Sequence, residues 1–254
     1  MSTPELRVVQ ISDLHLPPMP QQRYRNLDVS ARLDKVLATI AERFPQADRL
    51  LVTGDNVHNG SERDYAALAA RLDRFGVPWY WIPGNHDSVE LMQLVRPVGP
   101  PWPAGCGWQC VLLDSTGQPD GRGAGSLTEA AQATLRRAAE DPRPALVVLH
   151  HNPMRVDSRW QDAIGLQNAD GFWQSAARLH PRSVVVCGHL HQVWDYRDLP
   201  LRVLSCPSTA VQFRRSCASL ELECDGNEAL PGYRWLRLGA AGELATGIER
   251  VPLA

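Results

Sequence analysis

Apolar positions along the chain fall into two patterns. Runs rich in Val, Ile and Leu at 6–11, 50–53, 78–82, 109–113, 145–149, 184–187 and 201–205 are short and nearly continuous, and they read as strands. At 34–44, 62–75, 127–140 and 172–179 apolar residues instead recur every three or four positions, which predicts amphipathic helices. Ser61 and Ser126 stand where N-caps are expected, each a short side chain able to accept from the free amides of a first turn. Strand and helix in alternation imply parallel strands joined by crossovers, with helices covering the sheet faces. Past residue 201 the alternation stops, and 219–223 and 233–238 read as a terminal pair of strands that extends or edges a sheet. The proline-rich segment 96–103 predicts a surface loop, since proline has no amide hydrogen for a ladder. With no internal repeat and no low-complexity linker, residues 1–254 read as one α/β domain with decorated loops.

The polar residues matter for where they fall against those strands. The first run is followed by Asp13-Leu14-His15, the second by Gly54-Asp55, and the third by Gly84-Asn85-His86-Asp87. The run at 145–149 is followed by His150-His151-Asn152-Pro153, and the run at 184–187 by Gly188-His189-Leu190-His191. In open α/β sheets ligands bind beyond the carboxyl ends of the strands, so residues distant in sequence converge there. Carboxylate and amide oxygens with imidazole nitrogens suit manganese, iron or zinc, and the lack of a required thiolate argues against a structural zinc cage. Taken alone, the pair His189 and His191 fits a metal, a catalytic dyad or plain packing, and Gly-Asp is ordinary turn chemistry.

Composition removes several classes of partner. A formal net charge of -2 provides no basic field for long nucleic acids, and no apolar run reaches the length of a membrane span. The amino terminus lacks a secretory pattern, and the six cysteines are scattered, so reduced thiols in a cytoplasm are expected. Cys106 and Cys110 have no second Cys or His pair at finger-like spacing.

The ordered motifs resemble the signature of the calcineurin-like metallophosphoesterases over Asp13 to His191. Residues 158–170, 207–213 and the tail 231–236 are similar to the bacterial class III cyclic-AMP phosphodiesterases, which extends the likeness over nearly the whole chain. The resemblance implies a four-layer α/β/β/α sandwich of mixed sheets flanked by helices. It implies two divalent ions, Fe2+ and/or Mn2+, one on Asp13, His15, Asp55 and His191, the other on Asp55, Asn85, His150 and His189, with Asp55 shared. His189 and His191 then serve different ions, and alternation along an extended chain would aim both to one side.

The implied reaction is hydrolysis of 3′,5′-cyclic AMP to 5′-AMP by a hydroxide shared between the ions. His86 and Asp55 are the catalytic candidates, and His15, Asp55, Asn85, His86 and His191 the substrate-binding ones. His150 directly ends its strand and stands where the family's ligand stands, which leaves His151 behind the ligand or in the pocket; the family's usual His-His-Pro-Pro is here His150-His151-Asn152-Pro153. Asp87 is expected to orient His15 or His86. Arg159, Trp160 and Asn168 are candidates to approach the purine, with Trp160 and Trp173 equally open to packing roles. A monomer or homodimer is expected. Two other readings are a phosphodiesterase or phosphomonoesterase for other nucleotides and an inactive metal-binding scaffold.

Overall fold

In β1 (Glu5–Ile11), Val9 and Ile11 point into one apolar core and Val8 into another, so this strand is buried on both faces. The structure, a computed structural model, describes residues 5–18, 22–100 and 107–253. After β1 come α1 (Val29–Arg43), β2 (Arg49–Thr53), α2 (Glu62–Asp73), β3 (Trp79–Ile82), α3 (Val89–Val95), β4 (Gln109–Leu112), α4 (Glu129–Ala138) and β5 (Ala145–Leu149). They are followed by α5 (Arg159–Ala163), α6 (Ala169–Ala176), β6 (Val184–Cys187), β7 (Asp195–Tyr196), β8 (Arg202–Ser205), β9 (Gly232–Gly239) and β10 (Leu244–Arg250).

The strands form two five-stranded sheets, in the orders β10-β9-β1-β2-β3 and β4-β5-β6-β8-β7. The central strands β1, β2 and β3 are parallel, as are β4, β5, β6 and β8, whereas β9, β10 and β7 run antiparallel at the edges. Alternation along each buried strand fills three cores. Leu51, Val148, Val186 and Leu236 meet between the sheets. Val52 packs outward against Leu33 and Leu68 of α1 and α2, and Val147 and Val185 pack outward against Leu135 and Phe172 of α4 and α6. Helix, sheet, sheet and helix are thus the four layers of the expected sandwich.

Local expectations fare unevenly. All seven predicted runs up to residue 205 become strands. Helix α1 starts before residue 34, because Val29 and Leu33 continue its buried stripe and Asp28 caps it, accepting from the Ala31 amide at 2.9 Å. Ser61 does stand at the N-cap of α2, but Asp64 accepts from its amide at 2.8 Å and its hydroxyl at 2.6 Å. Ser126 is not a cap. Its backbone pairs with Gly117, and Thr128 caps α4, accepting from the Ala131 amide at 3.2 Å.

The terminal strand pair is corrected in one member. Residues 219–223 form no strand, and only Leu222 bridges, to Phe213. The partner of β9 is β10, which the polarity of its sequence conceals; Gly247 pairs with Trp235 there and lies against the indole. Of the predicted proline-rich loop, residues 96–100 are irregular and Pro101 to Pro103 lie outside the described residues.

Candidate metal centre

The polar residues that follow the strands are held by backbone geometry more than by strand alternation. Asp13, His15, Asp55, His189 and His191 all have left-handed backbone, with φ between 46° and 66°. Asp and His tolerate this region better than most residues. The segment after β1 continues beside the segment after β2: the amides of Asp13 and His15 donate to the carbonyls of Gly54 and Asp55 at 3.0 and 2.9 Å. Within the second sheet, the Gly188 amide donates to the His150 carbonyl at 3.1 Å, and across the sheets the His189 amide donates to the Asp13 carboxylate at 3.1 Å. Two glycines permit this crowding. Gly54 has φ +92° and packs against the His150 ring, and a Cβ on Gly188 would lie 2.8 Å from the Thr53 carbonyl and 3.0 Å from the Asp13 carboxylate. Alternation along an extended strand does not aim His189 and His191. Each ring is aimed by a left-handed residue in a bend, while Leu190 between them is fully buried in the outer core of the second sheet.

Donor atoms converge in two adjoining groups. Asp13, His15, Asp55 and His191 form one buried cluster. His15 Nε2 lies 3.0 Å from His191 Nε2 and 3.5 Å from Asp55 Oδ2, and His191 Nε2 lies 3.4 Å from Asp13 Oδ1. In the other group His150 Nε2 lies 3.2 Å from Asn85 Oδ1, 3.3 Å from His189 Nδ1 and 3.6 Å from Asp55 Oδ2. Asp55 Oδ2 thus faces a histidine of each group.

The tautomers follow from the carbonyl partners. His191 Nδ1 donates to the Val211 carbonyl at 2.7 Å and His150 Nδ1 to the Thr53 carbonyl at 2.8 Å, so both Nε2 atoms turn lone pairs into the cluster. His189 Nε2 is buried with no hydrogen-bond partner among the described residues. Lone pairs at these separations repel unless a cation stands between them. Two ligands on one ion at roughly 2.0–2.1 Å stand about 3.0–3.4 Å apart, so the donor set fits divalent metal.

The charge states point the same way. Burial, reinforced by neighbouring imidazoles, pushes His15 and His189 well below the ordinary histidine range, and a neutral ring is what a metal ligand requires. Burial would also lower His150, but Asp55 outweighs it and raises this ring to about 9. Burial opposes ionisation of Asp55, and His150 and His15 overcome that, holding its carboxyl well below the usual range. A proton on His150 Nε2 thus offsets the Asp55 charge in the place that a cation would hold.

A cavity of about 330 Å³ opens onto the cluster. His15, Asp55, Asn85, His86 and His191, the expected substrate-binding residues, all line it. His86 stands edge-on to His15 with ring centroids 5.1 Å apart, and its amide donates to Asp55 Oδ1 at 2.9 Å.

Asp87 has a different role from the one expected. Its carboxylate accepts from the amides of Asn56, Val57 and Gly84 and from the Tyr65 hydroxyl, at 2.9 to 3.1 Å, and so ties the second motif to the third rather than orienting a ring. Burial and the Asp55 charge raise it to about 6. His151 lies behind the cluster, its Nε2 donating to the Gly123 carbonyl at 3.1 Å and its Nδ1 bonded to the Ser115 hydroxyl at 2.8 Å. Burial lowers it to about 3, so it stays neutral and anchors the loop beside Asn85.

Of the three purine candidates only Trp160 lines the cavity, packed edge-on against Phe213 at 5.2 Å. Asn168 is tied to the Leu127 backbone, Arg159 is exposed and lines no part of the cavity, and Trp173 packs on the core. The motifs did not single out Tyr24, Arg25, His58 or Arg122. Tyr24 stacks on His15 at 4.4 Å, His58 Nδ1 faces His15 Nδ1 at 3.3 Å, and Arg25 and Arg122 line the cavity. Only the closeness of Tyr24 and Arg25 to the first motif hinted at them.

Two sheets with donors at their carboxyl ends define a metallophosphoesterase, and residues 6–193 match the calcineurin-like phosphoesterase family, to which the chain belongs. The 3′,5′-cyclic adenosine monophosphate phosphodiesterase CpdA of Pseudomonas aeruginosa is 35% identical over 256 residues, covering 96% of this chain and 89% of that protein. A 3′,5′-cyclic-nucleotide phosphodiesterase of Nostoc sp. strain PCC 7120 is 31% identical over 97% of this chain and 93% of its own. A dimetal phosphatase from Danio rerio superposes with a TM-score of 0.66 at 12% identity, covering 98% of this chain and all of that one, a likeness of fold.

Proposed function

We propose that the protein hydrolyses 3′,5′-cyclic AMP to 5′-AMP. The observation that carries the reading is the double donor cluster around Asp55 at the floor of a nucleotide-sized cavity. The names of the full-length relatives from Pseudomonas aeruginosa and Nostoc support the substrate class. Asp13, His15, Asp55 and His191 would hold one divalent ion, and Asp55, Asn85, His150 and His189 the other. The oxygen and imidazole donors favour Mn2+ or Fe2+. When bound, the ions supply Lewis acidity and lower the pKa of water.

The chain's own residues do the rest. Asn85 and His86 bind the phosphate oxygens at the cavity floor, and Arg25 and Arg122 attract the anion at its wall. Phe213, stacked on His191 at 4.1 Å, and Trp160 form an aromatic surface for the purine. Water adds its oxygen to phosphorus as the bond from phosphorus to the ribose 3′ oxygen breaks. His86 delivers the proton to that oxygen, and the phosphate stays on the 5′ carbon. No helix among the described residues is long and apolar enough to cross a membrane. The five described cysteines are free thiols, which supports a reducing, cytoplasmic setting.

The test is chromatography of products after metal stripping and reloading with Mn2+ or Fe2+. The expected product is 5′-AMP, with slower turnover of 2′,3′-cyclic AMP and nitrophenyl phosphate. Faster turnover of either alternative would move the reading to a broader phosphoesterase, and no turnover under any loading would end it.

A further inference from the structure

His58 belongs to none of the motifs, yet the backbone sets it firmly against the first of them. Its amide donates to the Leu16 carbonyl at 2.8 Å, and Leu16 and Val57 form a parallel bridge. On its other side the Asn59 amide donates to the His86 carbonyl at 3.3 Å. The imidazole so placed brings Nδ1 to 3.3 Å from His15 Nδ1 and packs its ring 4.3 Å from that of His86. Tyr24 covers the face of His15, with only 2° between the ring planes.

We propose that His58 is a positioning residue for His15: its Nδ1 accepts the hydrogen on His15 Nδ1, so that His15 Nε2 turns its lone pair toward Asp55 and His191. The proposal rests on the reading of His15 as a metal ligand. Two facing ring nitrogens need one hydrogen and one lone pair between them. With the His15 Nε2 lone pair committed to a cation, the hydrogen stands on Nδ1 and His58 is the acceptor. Metal-ligating histidines usually give this hydrogen to a carboxylate, a carbonyl or water, and here a second imidazole takes that place. The stacked Tyr24 removes the remaining freedom of the ring.

A competing arrangement would put a third ion among His15 Nδ1, His58 and His86, whose donor atoms lie within 4.8 Å of one another. That arrangement strips both nitrogens of His15 of hydrogen, leaving an imidazolate, and the hydrogen-bonded arrangement does not.

The experiment is Mn2+ titration of the metal-stripped protein, by calorimetry and by electron paramagnetic resonance, for the wild type and for His58→Ala, His58→Asn, His58→Gln and His15→Ala. Loss of an outer hydrogen-bond partner weakens metal affinity by about 10–100-fold, and His58→Ala is expected to weaken one of two Mn2+ equivalents to that extent. The Asn side chain places an oxygen where Nδ1 stood, so His58→Asn restores most of the affinity, while His58→Gln, reaching to the Nε2 position, does not. Wild-type affinity in His58→Ala with a lost equivalent in His15→Ala overturns the proposal and leaves His15 a ligand. Wild-type affinity in His15→Ala removes the ligand reading itself. Equal weakening in His58→Asn and His58→Ala, or loss of a third equivalent with two kept, also overturns the proposal. Circular dichroism of the stripped proteins establishes folding, and if His58→Ala is unfolded the contrast between Asn and Gln decides the matter.

Discussion

Arg234 of β9 fastens one sheet to the other, and its replacement by Met tests whether that fastening stabilises the fold. The residue is 3% exposed. Its Nε and Nη2 donate to the Ser205 carbonyl at 3.0 and 2.8 Å, Nη2 also reaches the Trp194 carbonyl at 3.2 Å, and Nη1 reaches the Thr246 hydroxyl at 2.9 Å. Met fills similar space and abolishes those bonds, leaving the Ser205 carbonyl without this donor at about 1–3 kcal/mol; the Trp194 carbonyl keeps the Ser205 amide at 3.1 Å, and it and the Thr246 hydroxyl each lose a bond worth about 0.5–1.5 kcal/mol. Relief of the guanidinium's desolvation offsets part of that. The expected net loss is about 2–3 kcal/mol. Lys keeps the charge without the planar fork, and an imperfectly matched buried cation costs about 3–5 kcal/mol, so Arg234→Lys is expected to be the weaker of the two. Urea unfolding followed by tryptophan fluorescence and far-ultraviolet circular dichroism reads the difference. With a slope of roughly 2–3 kcal/mol per molar, Arg234→Met lowers the midpoint by about 1 M. A midpoint equal to wild type for Met, or a higher midpoint for Lys than for Met, would refute the reasoning.

His86→Ala is expected to lower turnover by about 10²–10⁴-fold while both metal equivalents remain bound, because its ring handles the phosphate and proton and is not a ligand; loss of a metal equivalent would contradict this assignment. Leu190→Ala removes a fully buried side chain between His189 and His191 and is expected to cost about 2–5 kcal/mol in urea unfolding, and a change under about 1 kcal/mol would show that the spacer does not pack as described. Asp195 is held down to about 2, first by its two 2.7 Å hydrogen bonds from Arg202 and then by Arg197. A carboxyl depressed in the folded state stabilises above its unfolded pKa, and that stabilisation is lost as pH falls from about 4 through about 2. Since the pair is partly solvated, Asp195→Asn should cost only about 0.5–1 kcal/mol at pH 7, with the gap to wild type closing over that acid window.

The architecture was legible because buried parallel strands are continuous apolar runs, and each of the predicted strands up to residue 205 reached a sheet. The donors were legible because they stand immediately after those runs, where chain direction alone sends them to one end of the sheets. Strand β10 was concealed because an edge strand needs little apolar surface, and Thr246 and Gly247 break its pattern. The aiming of His189 and His191 was hidden as well, since side-chain spacing carries no information about a left-handed φ. His58 and Tyr24 reach His15 through contacts that loops make, and loop paths leave no periodic trace. Asp87 was misjudged for a related reason, because the amides of Asn56 and Val57 come within reach only after β2 and β3 have paired.

Copying the five donors Asp13, His15, Asp55, His189 and His191 onto an ordinary parallel sheet would not copy the site. Each sits in a backbone region that opposes an L-residue by about 1 kcal/mol, about 5 kcal/mol in all, comparable with the net stability of many whole domains. That strain is sustained by contacts spread over both sheets: the Gly54 and Asp55 carbonyls beside the first motif, the Ser208 hydroxyl on the Asp13 carbonyl at 2.7 Å, and the Val211 carbonyl on His191 at 2.7 Å. A transplanted or truncated version would relax toward common dihedrals and scatter its donors. The site is therefore less a set of letters than a strained frame, held under tension by the loops around it.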